Sequence, residues 1–209
     1  MGDIVLLESE VNPVMSKLRA SGIEITALHN HLLNETPHIL YIHYLGHGSA
    51  AELAKSFRAA LAVSKTPLGA PAAPAPAPAS PPAFVKTIED TLGRKGQLNG
   101  GVLAFGIPRA EAITEDGMTL TPPQGAAEAI NFQETSPGQV ATAGDFMLNA
   151  EEVNPVISAL QEHNIQVTAL HSHMLTEEPR LFFMHFWAIG NTESVAQGIK
   201  TALSHVATK

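Results

Sequence analysis

One stretch of the chain occurs twice, and this repeat limits the fold more than any other feature. Residues 2–64 align with residues 144–206 without a gap, and over a third of the aligned positions are identical. The most similar parts are residues 26–43 and 168–185, where each copy carries His-x-His, a Glu, a Pro and a further His at the same spacing. A repeat of this kind indicates one supersecondary unit that is used twice.

The start of each copy predicts a strand followed by a helix. Short apolar runs at 3–7 and 145–148 are typical of strands. Asn12-Pro13 and Asn154-Pro155 then predict helix starts, with Asn as the N-cap and Pro at the first helical position.

The remainder of each copy predicts two strands and a second helix. Alternating residues from Ile23 and Ile165 favour one strand, and 39–45 and 181–187 favour the next. Helices follow at about 50–62 and 192–204, and Ser49 and Asn191 are expected to cap them. The resulting unit is β-α-β-β-α, which is most of a ferredoxin-like split βαβ motif.

A Pro/Ala-rich stretch at 66–83 separates the copies and predicts an extended linker. The expected domains are therefore residues 1–65 and 84–209. The second contains a further β-rich block, with a helix at 85–92 and strands at 102–108, 118–121, 129–133 and 139–148. No such block precedes Gly2, so the first unit is expected to lack its upstream half. The predicted fold is α+β, with two ferredoxin-like units in a pseudo-twofold tandem repeat.

Six of the ten histidines fall at matching positions of the two copies, namely His29, His31 and His43, and His171, His173 and His185. Alternate residues of a strand share a face. A hairpin centred near 36 places His29 opposite His43, and one centred near 178 places His171 opposite His185. Opposed residues have Cβ atoms about 5 Å apart, which lets three imidazoles meet one ion. In the turns, Glu35 and Glu177 can add an oxygen ligand.

Two functions remain open for this pattern. Three imidazoles suit a divalent transition metal, Zn²⁺ first and Fe²⁺, Mn²⁺ or Cu²⁺ as alternatives, and the absence of cysteine removes thiolate sites. A metal-dependent hydrolase or lyase would use water in an open position. Alternatively, His29 and His31 extend the apolar row of Ile23 and Ile25. The histidines are then structural, in a non-enzymatic module that binds a small-molecule ligand or a partner.

Other polar residues have simpler interpretations. Glu10 and Glu152 are expected to serve helix dipoles. Arg94, Lys95 and Arg109 are expected to form a solvated surface patch rather than an anion site. The four remaining histidines are expected at the surface: His38, His47, His163 and His205.

Composition excludes some partners. A net charge of −8 argues against nucleic acid as a partner, and no apolar run is long enough to span a bilayer. The beginning of the chain shows no signal-peptide pattern, since a basic n-region and a long apolar run are both missing. A homo-oligomer is compatible with the composition.

Several strings together resemble the LppY/LpqO family. They are Gly-Asp-Phe-Met-Leu at 144–148, Glu-Val-Asn-Pro-Val at 152–156, Thr-Ala-Leu-His-Ser-His-Met-Leu at 168–175, Glu-Pro-Arg-Leu-Phe-Phe-Met-His-Phe-Trp at 178–187, Leu-Gly-Arg-Lys-Gly at 92–96 and Phe-Gly-Ile-Pro-Arg at 105–109. The family is a bacterial one of a duplicated domain of unknown function, classed as lipoproteins. The resemblance implies a bacterial source and, for many members, export. Localisation and catalytic activity stay open.

Overall fold

The computed structural model describes residues 1–69 and 80–209, and these form two compact units. The first unit comprises residues 1–69 together with 172–175, and the second comprises residues 80–171 and 176–209. Both units combine helices with antiparallel sheets, so the predicted α+β class is confirmed. Within the predicted linker 66–83, residues 70–79 lie outside the described residues.

The first unit is a three-stranded sheet with two helices. Its elements are β1 (Gly2–Leu7), α1 (Val11–Ala20), β2 (Glu24–His29), β3 (Ile39–Leu45) and α2 (Ala50–Leu61). β3 lies between β1 and β2 and runs antiparallel to both. Residues 4, 6 and 42 of the sheet pack with Val14 and Leu18 of α1 in one apolar core. The even-numbered residues of β1 and β3 therefore face this core.

The second unit contains a six-stranded sheet in the order β10-β11-β9-β8-β5-β4. Its elements are α3 (Ala83–Leu92), β4 (Gln97–Asn99), β5 (Val102–Pro108), β6 (Thr114–Glu115), β7 (Met118–Thr119), β8 (Ala127–Ser136), β9 (Gln139–Leu148), α4 (Ala150–Glu162), β10 (Gln166–His171), β11 (Phe182–Asn191) and α5 (Thr192–Leu203). β9, β11 and β10 adjoin one another in the order seen for β1, β3 and β2. In the described part of the chain, every helix is too short or too polar to cross a membrane.

Helices α1 and α4 begin earlier than the sequence predicts. α4 starts at Ala150, because Asn149 is its N-cap and the Asn149 N–H donates to Oε2 of Glu152 at 2.8 Å. Pro155 therefore lies inside the helix. In the same way α1 starts at Val11, one residue after Glu10. The expected N-caps Asn12 and Asn154 were wrong, because a Glu that accepts a backbone hydrogen bond ends the preceding strand sooner.

Glu10 and Glu152 each join two distant parts of their own unit. Glu10 accepts hydrogen bonds from the Leu7 N–H (2.9 Å) and from the Lys65 N–H (2.7 Å), which hold the pKa of its carboxyl below the usual value. Glu152 likewise accepts from the Ala207 N–H at 3.0 Å. Both carboxylates thus fasten the segment after the last helix of their unit to the start of α1 or α4, which is a more specific role than the predicted helix-dipole interaction.

A β-bulge interrupts the strand before each His-x-His motif. In the first unit Ile25 pairs with Tyr44 but Ala27 pairs with His43, so Thr26 is an extra residue. Such a bulge moves all later side chains of the strand to the opposite face. Ala27 and His29 consequently leave the core face that Ile25 shares. The predicted continuation of the apolar row was wrong, and His29 lies on the face away from the helix-packed core.

The observed register differs from the predicted one by two residues. His29 lies opposite Tyr41, and His43 lies opposite Ala27, so the two histidines are diagonal neighbours on one face. The second unit repeats this arrangement. His171 lies opposite Phe183, and His185 lies opposite Ala169, after a bulge between Val167 and Ala169.

Gly144 allows β8 and β9 to approach closely beside His185. A Cβ at Gly144 would overlap the carbonyl oxygen of Ala129 and lie 2.9 Å from its carbonyl carbon. Because backbone atoms cannot rotate away, we expect Gly144→Ala to lower the free energy of unfolding by about 3 kcal/mol in denaturant titrations. Gly106→Ala is the matched control, since a Cβ at this strand position meets nothing within 4 Å. Equal stability of the two variants would contradict the close approach.

Candidate metal centre

Three of the predicted histidines converge in the first unit. His29 is the last residue of β2, His43 lies in the central strand β3, and His31 follows two residues after His29. One possible ligand atom from each of the three lies within 4.8 Å of those of the other two. The ring centroid of His29 is 5.0 Å from that of His31 and 4.9 Å from that of His43. This spacing is compatible with three nitrogens around one ion.

Hydrogen bonding orients the first of these imidazoles. The Nδ1–H of His29 donates to the carbonyl oxygen of Asn30 at 3.2 Å, which leaves Nε2 as the nitrogen with the lone pair. The Asn30 amide in turn donates to the carbonyl oxygen of Leu32 at 2.9 Å and closes the loop that carries His31. A backbone acceptor on the second ring nitrogen is the usual arrangement for a histidine that binds a metal through the first.

Tyr41 adjoins His29 and His31, and Glu35 is near enough to Tyr41 for its charge to act on the phenol. The ring of Tyr41 stacks on His31, with centroids 3.4 Å apart and planes inclined by 6°. Burial raises the pKa of the Tyr41 phenol, and the negative charges of Glu35 and Asp3 raise it further. Oε1 of Glu35 is buried and accepts no hydrogen bond from the described residues. An acceptor of this kind suits a cation or a proton donor.

Two predicted histidines of the second unit also approach each other. His171 and His185 have ring centroids 5.0 Å apart. The Nδ1–H of His185 donates to the carbonyl oxygen of Gly144 at 3.3 Å, the same type of backbone contact that His29 makes. Asp145 pairs with His185 across β9 and β11, as Asp3 pairs with His43 across β1 and β3.

His173 belongs to the segment 172–175, which is part of the first unit. Its ring stacks on His43 with centroids 3.7 Å apart, and its centroid is 5.1 Å from that of His29. The first unit thus contains a fourth imidazole beside the predicted three. The predicted set of His171, His173 and His185 stays a prediction.

Glu177 has local partners in its turn. Its Oε1 accepts a hydrogen bond from the Leu181 N–H at 3.1 Å, and its Oε2 lies 3.1 Å from Nη1 of Arg180. Among the described residues, the groups whose ligand atoms all lie within 4.8 Å of one another consist of histidines alone. Glu35 differs from Glu177 because His38 replaces Arg180, so the first copy lacks the guanidinium that the second provides.

The remaining histidines lie mostly at the surface, as predicted. His38, His47 and His205 are exposed, whereas His163 is half-buried.

Arg109 is buried, which contradicts the expected surface patch. The side chain is 1% exposed and donates from Nη1 and Nη2 to the two carboxylate oxygens of Glu152, at 2.8 and 3.0 Å. It also donates to Glu111 at 2.7 Å and to the carbonyl oxygen of Met147. Lys95, by contrast, is exposed and pairs with Glu89. The guanidinium therefore links the end of β5 to β9 and α4 from inside the unit.

A second buried carboxyl group adjoins this guanidinium. Glu128 is 0% exposed, and its Oε2 accepts a hydrogen bond from the Met147 N–H at 2.6 Å. Its Oε1 is 4.0 Å from Nη1 of Arg109 and accepts no hydrogen bond from the described residues. Burial raises the pKa of Glu128 well above the ordinary value, although Arg109 and the Met147 amide oppose that shift. One sequence signal was available, because Glu128 shares a strand face with two buried apolar residues, Ile130 and Phe132.

Comparison with known protein families assigns most of the chain to one family. The family described as Domain of Unknown Function (DUF1259) matches residues 1–63 and 86–205. The chain belongs to the DUF1259 family. The two matched ranges contain all six repeated histidines and cover most of each unit of the DUF1259 protein. No curated protein and no solved structure matches it.

Proposed function

We propose that this DUF1259 protein binds a divalent transition metal ion through His29, His31 and His43. The observation that carries the proposal is the mutual approach of their ligand atoms to within 4.8 Å. Imidazole is a good ligand for several divalent ions, and we propose Zn²⁺, with Fe²⁺, Mn²⁺ and Cu²⁺ as alternatives. Glu35 is the carboxylate that we propose as a fourth, oxygen ligand of the ion.

The placement of the histidines supports a ligand role over a purely structural one. The bulge at Thr26 moves His29 off the core face, where a packing residue would lie. His43 is only 7% exposed, so an ion bound to it would be largely shielded from solvent. Imidazole nitrogens that approach one another in this way form a site that a cation can occupy.

The chemistry expected at such a site is metal-assisted hydrolysis or elimination. A Zn²⁺ ion held by three imidazoles keeps a coordination position for water and lowers the pKa of that water to about 7. The proton acceptor that we propose is Glu35, whose buried Oε1 accepts no hydrogen bond from the described residues and whose charge acts on the phenol of Tyr41. We therefore propose a hydrolase or lyase. Metal binding without turnover would favour the non-enzymatic ligand- or partner-binding module.

Several wider predictions belong to the same proposal. We infer a second metal site that uses His171, His173 and His185 with Glu177, at the matching positions of the repeat. The two β-α-β-β-α stretches are proposed to be ferredoxin-like tandem repeats, on the basis of their common strand order. The resemblance to the LppY/LpqO family supports the further proposal of a bacterial, exported protein.

Metal uptake by the chain of residues 1–209, prepared without a His tag, tests the proposed function. The protein is stripped with a chelator and then titrated with Zn²⁺, Fe²⁺, Mn²⁺ and Cu²⁺ under conditions that keep each ion in its stated oxidation state. We expect about one equivalent or more of Zn²⁺ to be retained after gel filtration and measured by atomic emission. Retention of less than about a tenth of an equivalent of every ion would overturn the proposal.

A further inference from the structure

We propose that Tyr41 is a positioning residue for the metal site of the first unit, and that its aromatic ring, not its hydroxyl group, holds His31 in place. This inference rests on the proposed function. Tyr41 lies in β3 directly opposite His29, so its side chain is on the histidine face of the sheet. There the Tyr41 ring covers the His31 ring, with centroids 3.4 Å apart.

His31 needs such support more than the other two histidines do. His29 and His43 are strand residues whose backbone is fixed by pairing with β3 or with β1 and β2. His31 comes after the end of β2 and lies outside the strands of the sheet. A loop side chain loses more rotamer freedom when it is ordered, and this cost reduces metal affinity unless the apo protein already holds the ring. Stacking on a strand residue supplies that preorganisation.

The second copy indicates which part of Tyr41 matters. Its counterpart is Phe183, which lies opposite His171 in the same register and carries a ring but no hydroxyl group. The ring is thus the chemical feature that the two positions share. A stacking surface needs only an aromatic residue, and both copies provide one at this position, whereas the hydroxyl group occurs in one copy alone.

Zn²⁺ affinity of two variants tests this role. We expect Tyr41→Phe to bind Zn²⁺ within about twofold of the unmodified protein, and Tyr41→Ile to bind about 10–100-fold more weakly. Isoleucine keeps high strand propensity but has no ring, so β3 is expected to form in both variants. Unchanged far-ultraviolet circular dichroism and thermal unfolding before Zn²⁺ is added check that the fold is intact. If Tyr41→Ile does not fold, Tyr41→Leu takes its place with the same expected weakening.

Co²⁺ absorption spectra supply a reading that fold stability alone would not change. Tyr41→Phe is expected to keep the visible d–d bands of the unmodified protein, and the aliphatic variant to shift or weaken them, because one imidazole is displaced. Equal Zn²⁺ affinity of all three proteins would overturn the inference while leaving the proposed function intact. A loss in Tyr41→Phe as large as in the aliphatic variant would also overturn it and assign the hydroxyl group as a ligand. An unmodified protein that binds no metal would overturn both.

Discussion

Replacing His43 with glutamine is expected to weaken Zn²⁺ binding by more than about 100-fold. His43 contributes one of three imidazoles, and it lies in the central strand, so no other histidine on the same strand can take its place. Glutamine keeps a polar side chain of similar size but its amide is a poor ligand for a transition metal. The loss should exceed that of a residue which only orients a ligand. Competition with a chromophoric chelator measures it directly.

His38→Ala is the matched control for this experiment. His38 is an exposed histidine in the turn between β2 and β3, only five residues from His43, and it is not part of either histidine group. Its removal should leave Zn²⁺ affinity unchanged. Parallel losses in the two variants would show that the measured ion is held by adventitious surface histidines, and would contradict a site built on His43.

The order of secondary structure could be predicted from the sequence because two copies specify each element independently. Helices expected at about 50–62 and 192–204 occur at Ala50–Leu61 and Thr192–Leu203. Ser49 and Asn191 cap them through side-chain oxygens, as predicted. Local hydrogen-bonding chemistry decides these features, and it is visible within a few residues of sequence.

The face and register of the histidines could not be predicted in the same way. Alternation from Ile23 and Ile25 would place His29 on the core face, and only the extra residue Thr26 reverses this. A bulge is decided by pairing with the neighbouring strand, so the sequence of one strand does not reveal it. The histidines still converge because the observed register differs from the predicted one by two residues, an even number. His29 and His43 therefore remain on one face of the sheet, as diagonal neighbours.

The burial of Arg109 could not be predicted from the sequence for a related reason. Its partners Glu111, Glu128 and Glu152 are spread over forty-odd positions of sequence and meet only when β5, β8 and α4 assemble. Next to glycine-rich segments, an arginine is ordinarily a surface residue. A charged residue on the apolar face of β8 was the one available indication that a buried cation was required.

The second large effect that we expect is a loss of stability in Arg109→Met. The variant keeps much of the apolar stem but leaves Glu152 and Glu128 without the guanidinium, inside the second unit. Removing one partner of a buried ion pair typically costs about 3–5 kcal/mol, because the remaining charge is neither solvated nor paired. We expect a loss of that size in the free energy of unfolding, measured by urea titration of the full chain.

Arg94→Met is the control for the loss of a guanidinium in the same unit. Arg94 is half-buried and donates one hydrogen bond to the Thr208 hydroxyl at 3.2 Å. A hydrogen bond of this type contributes about 1 kcal/mol. If Arg109→Met were no more destabilised than Arg94→Met, the buried network would have no special role in stability.

Glu128→Gln should raise the free energy of unfolding near neutral pH, because the buried site holds more carboxyl groups than cations. Around Glu128 the charged groups are Arg109, Asp145 and Glu152, and burial raises its pKa in the folded state above that in the unfolded chain. The folded state therefore binds the proton more tightly, so this group's stabilising contribution is present below the unfolded pKa of about 4.3 and declines as pH rises toward the folded pKa. Glutamine resembles the protonated carboxyl group at every pH. The unmodified protein should thus lose stability relative to Glu128→Gln between pH 5 and 8, on the order of 1 kcal/mol or more, in urea titrations at several pH values. A difference that does not depend on pH would mean that Glu128 is ionised throughout this range, and that Arg109 alone balances all three carboxylates.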